Sequence, residues 1–153
     1  MHPDGTYALI ADYGNNRIRK LLTTDWYLST VAGSAVAGFT DGIGSLATFT
    51  ALSHITISPN GEYALIGTSN GNTLRKLTIA TNTVTTVAGS TSGVSGFING
   101  IGTHSLFSGI KGISFSFDGA FVYLAEEGAN IIRVLDLANF NASRFCGVGI
   151  TAG

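Results

Sequence analysis

The chain repeats one stretch of sequence three times: DYGNNRIRKL at residues 12–21, TSNGNTLRKL at 68–77 and EEGANIIRVL at 126–135. Glycines suited to tight turns recur with a similar period, 56 and then 58 residues apart, at Gly5, Gly61 and Gly119. A repeat of this length is normally one supersecondary unit, which buries its apolar face only against neighbouring units. The repeat therefore predicts the architecture of the protein much better than its activity.

The middle copy has the pattern of four short β-strands. Period-2 alternation, a small apolar run and β-branched residues predict strands at 55–58, 63–67, 73–79 and 83–87. The apolar run at 63–67 suggests a strand that is buried on both faces, and Pro59-Asn60-Gly61 predicts the hairpin before it. Four antiparallel strands followed by a long connection are typical of one blade of a β-propeller.

The connection between copies, which we call the link, repeats its own landmarks. Asp41-Gly42-Ile43-Gly44 in the first link corresponds to Asn99-Gly100-Ile101-Gly102 in the second. Phe49 and Phe107 follow at matched positions, each just before the next predicted strand. We expect both phenylalanines to pack between neighbouring sheets.

Three sequence elements in the first copy indicate the type of blade. They are Asp-x-Gly-Asn-Asn-Arg-Ile-Arg-Lys at 12–20, Thr-Val-Ala-Gly at 30–33 and Asp-Gly-x-Gly-x-x-Ala-x-Phe at 41–49. Together they resemble the NHL-repeat family of β-propellers, and the likeness covers essentially all 153 residues. The resemblance implies an all-β fold of NHL-type propeller blades.

The three copies differ in how many strands they contain. We place the repeats at 1–52, 53–110 and 111–153, with three, four and four predicted strands respectively. This amounts to about 2.7 four-stranded blades, which is fewer than a propeller requires. We therefore expect the chain to be part of a larger ring.

Composition argues against several classes of partner. Charged residues are only 11% of the chain, whereas Ser and Thr make up about a fifth of it. With a net charge of −1 and a pI near 6.2, the protein has no global field that would attract nucleic acid or an anionic membrane. We therefore expect no nucleic-acid binding. We also expect no membrane insertion, because no apolar stretch approaches the roughly 20 residues of a membrane helix.

Residues that often carry chemistry are scattered in this sequence. His2, His54 and His104 are not equivalent in the repeat, and none has a partner at metal-ligand spacing. The sequence contains no Gly-x-Ser-x-Gly motif and no phosphate-binding loop. We therefore expect no catalytic residues, no cofactor and no metal site in this chain. Cys146 aligns with Ala32 and Ala88, which predicts a small buried residue in a strand.

Two features support hypotheses about interactions. The first is a set of arginines in register on the third predicted strand of each copy: Arg19, Arg75 and Arg133. They predict a ladder of guanidinium groups that either bond to loop carbonyls and to acids such as Asp12 and Glu126, or line a surface for an acidic partner. The second is Asn141-Ala142-Ser143, an N-glycosylation triplet that the repeat places at the tip of an outer hairpin.

These observations favour a non-catalytic, extracellular or cell-surface propeller segment that serves as a scaffold for protein or glycan recognition or for assembly. Its partners would be further blades of the same longer chain or neighbouring subunits. Two alternatives stay open: a propeller enzyme of the lyase or lactonase type with its metal site on other blades, and an intracellular protein-interaction NHL domain. Because both end faces lack neighbours, we expect the isolated chain to be marginally stable or to associate.

Overall fold

The computed structural model describes residues 1–147 and contains three antiparallel sheets, which we call blades 1, 2 and 3. Blade 1 consists of β1 (Tyr7–Asp12), β2 (Arg17–Leu22) and β3 (Leu28–Ala32). Blade 2 consists of β4 (Gly42–Ile43), β5 (Leu52–Ile57), β6 (Tyr63–Thr68), β7 (Thr73–Thr78) and β8 (Thr83–Gly89). Blade 3 consists of β9 (Gly100–Ile101), β10 (Ile110–Phe115), β11 (Phe121–Glu126), β12 (Ile131–Asp136) and β13 (Asn141–Gly147).

The all-β prediction and the predicted strands of each blade are confirmed, with one addition. Blades 2 and 3 each have five strands instead of four, in the orders β4-β8-β7-β6-β5 and β9-β13-β12-β11-β10. The extra strand comes from the preceding link: Gly42 pairs with Val84, and Gly100 pairs with Ala142. Each link therefore forms the outermost strand of the blade that follows it. A two-residue strand is too short to produce a period-2 pattern, so the sequence did not indicate it.

Left-handed backbone conformations close the hairpins. Gly5, Gly61 and Gly119 have φ values of 76°, 75° and 71° in the inner hairpin turns, as expected for turns that favour glycine. The outer hairpins instead use Trp26, Asn82 and Phe140, with φ values of 60°, 54° and 57°. The turn residue of the outer hairpin thus has the same left-handed φ in all three blades, although these residues differ widely in chemistry.

The core lies between blades and not within any one of them. One cluster packs blade 1 against blade 2 and includes Leu9, Ile18, Phe49, Ile66 and Leu77. A second packs blade 2 against blade 3 and includes Leu65, Leu74, Phe107, Leu124 and Leu135. Phe49 and Phe107 are both 0% exposed, so their predicted position between sheets is confirmed. Among residues 1–147, no helix has the length and apolar character needed to cross a membrane.

Candidate interaction surfaces

Arg75 on β7 lies inside a set of link residues that we call the arginine cage of blade 2. The side chain is 1% exposed. Its Nη1 donates to the carbonyl of Thr48 at 3.1 Å, and its Nη2 donates to the carbonyl of Thr40 at 2.9 Å and to Oδ1 of Asp41 at 2.7 Å. The guanidinium carbon is 5.1 Å from the ring centre of Phe49, within the range of a cation–π contact. The cage therefore joins the link to the blade that follows it.

Blade 3 has an equivalent cage around Arg133 of β12. This side chain is also 1% exposed. Its Nη1 donates to the carbonyl of Leu106 at 3.3 Å and its Nη2 to the carbonyl of Ile98 at 3.1 Å. Its acidic partner is Glu126, with Oε1 at 3.5 Å from Nη1, and its guanidinium carbon lies 5.3 Å from the ring centre of Phe107.

The two cages each contain one acid but take it from different elements. In blade 2 the link supplies Asp41, and the strand position that corresponds to Glu126 of blade 3 holds the neutral Thr68. In blade 3 the link holds the neutral Asn99, and the strand supplies Glu126. A buried guanidinium without a partner is strongly unfavourable, so one carboxylate in each cage balances the charge.

Glu126 is the more buried of these two acids. The residue is 3% exposed, and its Oε2 accepts the backbone N–H of Ser108 at 2.8 Å. Burial raises the pKa of Glu126 from its ordinary value of 4.5 to about 6, and this effect outweighs the opposing influences of the Ser108 N–H and of Arg133. The carboxylate therefore titrates closer to neutrality than an exposed glutamate does.

Blade 1 has the arginine but lacks the rest of the cage. The Arg19 side chain is 23% exposed, and its nearest acid is Asp12, with Oδ2 at 3.6 Å from Nη1. Within residues 1–147, no strand pairs with the outer edge of β3, where the corresponding edges of β8 and β13 pair with β4 and β9. Tyr27 and Leu28, at this open edge, are 63% and 45% exposed.

The predicted surface for an acidic partner does not extend to Arg75 and Arg133. At 1% exposure their guanidinium groups are enclosed by link carbonyls and one carboxylate, which is the structural alternative that the sequence left open. Only Arg19 keeps an exposed part.

The face of blade 3 that points away from blade 2 is open. On blade 2 the same face carries Leu65, Leu74 and Ala88, all 0% exposed beneath blade 3. The equivalent residues on blade 3 are Tyr123, which is partly exposed, Ile132, which is 38% exposed, and Cys146, which is exposed. The prediction of a buried Cys146 was therefore wrong, because within residues 1–147 no further sheet covers this face.

The face of blade 1 that points away from blade 2 is open in the same way. Ile66, Leu77 and Val84 on blade 2 are 0% exposed against blade 1. Their counterparts on blade 1 are Ile10, at 38% exposure, Leu21, which is partly buried, and Leu28, at 45%. The protein therefore presents two apolar end faces whose equivalents in the middle of the chain are fully covered.

An open polar groove of about 500 Å³ lies between blades 2 and 3. It is lined by Ser69, Asn70, Asn72, Ser108, Gly109, Glu127 and Gly128. Asn72 stabilises its floor, accepting the N–H of Gly109 at 2.9 Å and donating to the carbonyl of Gly93 at 3.0 Å. The sequence did not indicate this groove, since it forms only where loops from two repeats meet.

The remaining candidate residues lie apart from one another. Asn141 is exposed at the start of β13, and its backbone N–H donates to the side chain of Asn139 at 2.8 Å. His2 stacks on Tyr7 with ring centres 4.6 Å apart, whereas His54 lies on β5 and His104 is exposed. In the part of the chain that the structure describes, no group of three or more His, Cys, Asp or Glu side chains is arranged to hold a metal ion.

The chain has the fold of β-propeller proteins. It superposes on an auxiliary nutrient binding protein from Bacteroides thetaiotaomicron with a TM-score of 0.77 and 17% identity, covering 100% of this chain and 36% of that one. A second auxiliary nutrient binding protein, from Bacteroides ovatus, gives 0.70 and 15%, covering 95% and 35%. Virginiamycin B lyase from Staphylococcus aureus gives 0.60 and 15%, covering 91% and 37%.

These similarities establish the fold of the chain, and they show how much of each known protein it covers. The chain spans little more than a third of the length of each of the three proteins. No protein-family model and no curated protein sequence matches it, so the resemblance to NHL repeats stays a prediction from sequence.

Proposed function

We propose that the chain is a non-catalytic propeller segment that serves as a scaffold, with end faces that pack against further blades. The observation that supports this most strongly is the contrast between equivalent positions of the repeat. Leu74 and Val84 in the middle blade are 0% exposed, whereas Ile132 and Leu28 at the same positions in the end blades are 38% and 45% exposed. The outward faces of blades 1 and 3 thus expose apolar residues at positions that are buried in blade 2.

The free energy gained by covering the two end faces is large compared with the stability of a domain. If roughly 400 Å² of apolar surface is left in water at each end, the missing stabilisation is on the order of 10 kcal/mol per face. A typical domain has a net stability of only about 5–15 kcal/mol. Covering these faces is therefore a condition for a stable protein, and a neighbouring blade has the shape to do so.

We expect the 153-residue chain alone to associate through its end faces. Replacing Ile10 and Ile132 by serine should shift the mass measured by sedimentation equilibrium towards the monomer, weakening association by about tenfold or more. Val36 is 67% exposed but lies in a link, so Val36→Ser serves as the control and should leave association unchanged. A monomeric chain with a sharp two-state melt would contradict the proposal.

The scaffold role includes recognition of a protein or a glycan. Two of the structurally similar proteins are named auxiliary nutrient binding proteins, and we propose a binding role for this chain as well. The polar groove between blades 2 and 3 supports that role, because it offers hydroxyl, amide and carboxylate groups on a base fixed by the hydrogen bonds of Asn72. The names of those proteins also support a secreted or surface location.

We expect Asn141 to carry an N-linked glycan when the protein passes through a eukaryotic secretory pathway, because the triplet is complete and the asparagine is exposed at a hairpin tip. The measurement is the mass of the peptide that contains Asn141, before and after treatment with a glycosidase. Asn141→Gln and Ser143→Ala should each abolish the added mass, whereas Asn139→Gln should not. A bare Asn141 in secreted protein would favour the intracellular interaction domain instead.

A propeller enzyme of the lyase type stays the second candidate, because virginiamycin B lyase has a similar fold over 91% of this chain. In that case His and carboxylate groups from further blades would converge on the channel near β5 and β10. Stoichiometric metal binding by the protein with all its blades, lost on mutation of such a cluster, would favour the enzyme over the scaffold.

A further inference from the structure

We propose that the open edge of blade 1 is a preformed binding site for the linking segment of a further propeller blade, of the type Asn-Gly-Ile-Gly. The site consists of the backbone of β3 at Tyr27 and Leu28, the carbonyl of Trp26 and the guanidinium of Arg19. Each part has an equivalent in blades 2 and 3, where a link occupies it. This inference concerns edge pairing and goes beyond the face packing proposed above.

Blades 2 and 3, whose outer edges pair with a link, define the backbone part of the site. Gly42 and Ile43 pair with Val84 and Thr83 in blade 2, and the next residue, Gly44, donates its N–H to the carbonyl of Asn82 at 2.9 Å.

Blade 3 repeats this arrangement. Gly100 and Ile101 pair with Ala142 and Asn141, and the N–H of Gly102 donates to the carbonyl of Phe140 at 2.9 Å. The residues of blade 1 at these positions are Leu28, Tyr27 and Trp26.

In blade 1 the residue that would accept the glycine N–H, Trp26, has the same backbone conformation although no link pairs with this edge among residues 1–147. Trp26 has φ 60°, compared with 54° for Asn82 and 57° for Phe140. A left-handed backbone is uncommon for a residue other than glycine and normally carries a cost. Trp26 therefore has the same left-handed φ as the two residues whose carbonyls accept a glycine N–H in blades 2 and 3.

The side-chain part of the site is the guanidinium of Arg19. Arg75 and Arg133 each donate to two link carbonyls and lie about 5 Å from a link phenylalanine ring. Among residues 1–147 the acidic partner of Arg19 is Asp12, at 3.6 Å. Its Nε is buried, as in Arg75 and Arg133, so its Nη groups are the donors that would bind the carbonyls of a link.

Charge balance selects the first residue of the occupant. Where the strand is neutral, at Thr68, the link carries Asp41; where the strand carries Glu126, the link carries Asn99. Blade 1 has Asp12 on its strand, so a second carboxylate would be uncompensated and a neutral asparagine fits. The residue after Ile is glycine in both bound links: Gly44 and Gly102 each have φ 56°, a left-handed conformation that favours glycine.

The occupant is the link of a further blade and not a link from a second copy of this chain. Both links within residues 1–147 are already paired, at β4 and β9, to their own blades. A second copy could supply one only by detaching that link from its own blade.

The test uses the chain's own link sequences as probes. A synthetic peptide of residues 96–107, which contains Asn99 to Phe107, is titrated into the 153-residue protein and followed by the fluorescence of Trp26, the single tryptophan, which is 71% exposed. We expect a saturable blue shift. Arg19→Gln should weaken binding by about tenfold or more, whereas Arg144→Gln, at an exposed arginine of blade 3, should change it less than about twofold.

Two peptide variants test the choice of occupant. Gly102→Val in the peptide, with the protein unchanged, should abolish binding, because a β-branched residue resists the left-handed conformation. The peptide of residues 38–49, which carries Asp41, should bind more weakly, and Asp12→Asn in the protein should restore its binding.

Fusing residues 96–107 ahead of Met1 through a flexible linker of about 15 residues raises the effective concentration of a weak ligand. We expect the fusion to raise Tm by several degrees, and Gly102→Val within the fused segment to remove that gain. Absence of a saturable change with the peptide together with an unaltered Tm in the fusion would overturn the proposal. Equal binding by wild-type and Arg19→Gln protein would overturn it as well. Neither result would bear on the packing of the end faces, which is tested by the solution mass of the Ile10 and Ile132 variants.

Discussion

Replacing Arg75 by methionine is expected to lower the free energy of unfolding by about 3 kcal/mol. Methionine fills a similar volume but leaves the carbonyl of Thr48 without its donor at 3.1 Å and Asp41 without its cation at 2.7 Å. Asp41 is 45% exposed and can be rehydrated, so most of the loss comes from the carbonyl and from the detached link. Denaturant unfolding at low protein concentration measures the change.

Lys76 provides a matched control, since it is the next residue on β7 and is only partly buried. Lys76→Met removes a charge whose Nζ lies 4.5 Å from the ring centre of Tyr63, and we expect a change below about 1 kcal/mol. In a double-mutant cycle, Asp41→Asn should cost less in the Arg75→Met background than in wild type, because the ion pair is already absent. If Arg75→Met and Lys76→Met proved equally mild, the cage would not be a structural element.

Stability should fall as pH rises from about 4.5 to 6.5, because of Glu126. Burial holds its pKa in the folded protein at about 6, above its ordinary value of 4.5, so the folded state binds the proton more tightly than the unfolded state does. The stabilisation is complete below the unfolded value and is lost as pH rises through the folded value. A shift of this size corresponds to about 2 kcal/mol.

Glu126→Gln isolates this contribution from that of other titrating groups. We expect the variant to lose the fall in stability between about pH 4.5 and 6.5, while Glu127→Gln, at a neighbouring side chain that is 70% exposed, should follow the wild-type curve. Thermal unfolding across this pH range provides the measurement. Parallel curves for wild type and Glu126→Gln would show that the carboxylate is not desolvated as the structure indicates.

Much of the fold could be predicted from local signals in the sequence. The alternation around Ile55, the apolar run at 63–67 and the glycine turns each depend on a few adjacent residues. Repetition of those signals identified the blades, and the matched Phe49 and Phe107 indicated how the blades pack. These predictions succeeded because each rests on a pattern that occurs in more than one copy.

The surfaces were harder to predict, because they depend on which element lies next to which. Cys146 occupies a position that is buried in two earlier copies. Its own exposure depends on whether another sheet packs on this face of blade 3, and none does so within residues 1–147. The register of Arg75 and Arg133 was visible in the sequence, but their enclosure by link carbonyls required the path of the link. A comparison of Asp41 with Asn99 and of Thr68 with Glu126 could have indicated that each arginine has one acid.

The pairing of each link with the following blade has a consequence for protein engineering. A blade excised from strand to strand, such as residues 53–110, would carry away the link that belongs to its neighbour and leave its own behind. Segments that begin at the link and end with the outer strand, such as 38–89 or 96–147, contain all five strands of one sheet. Grafting, deletion or shuffling of blades in this protein should therefore use the boundaries ahead of the link.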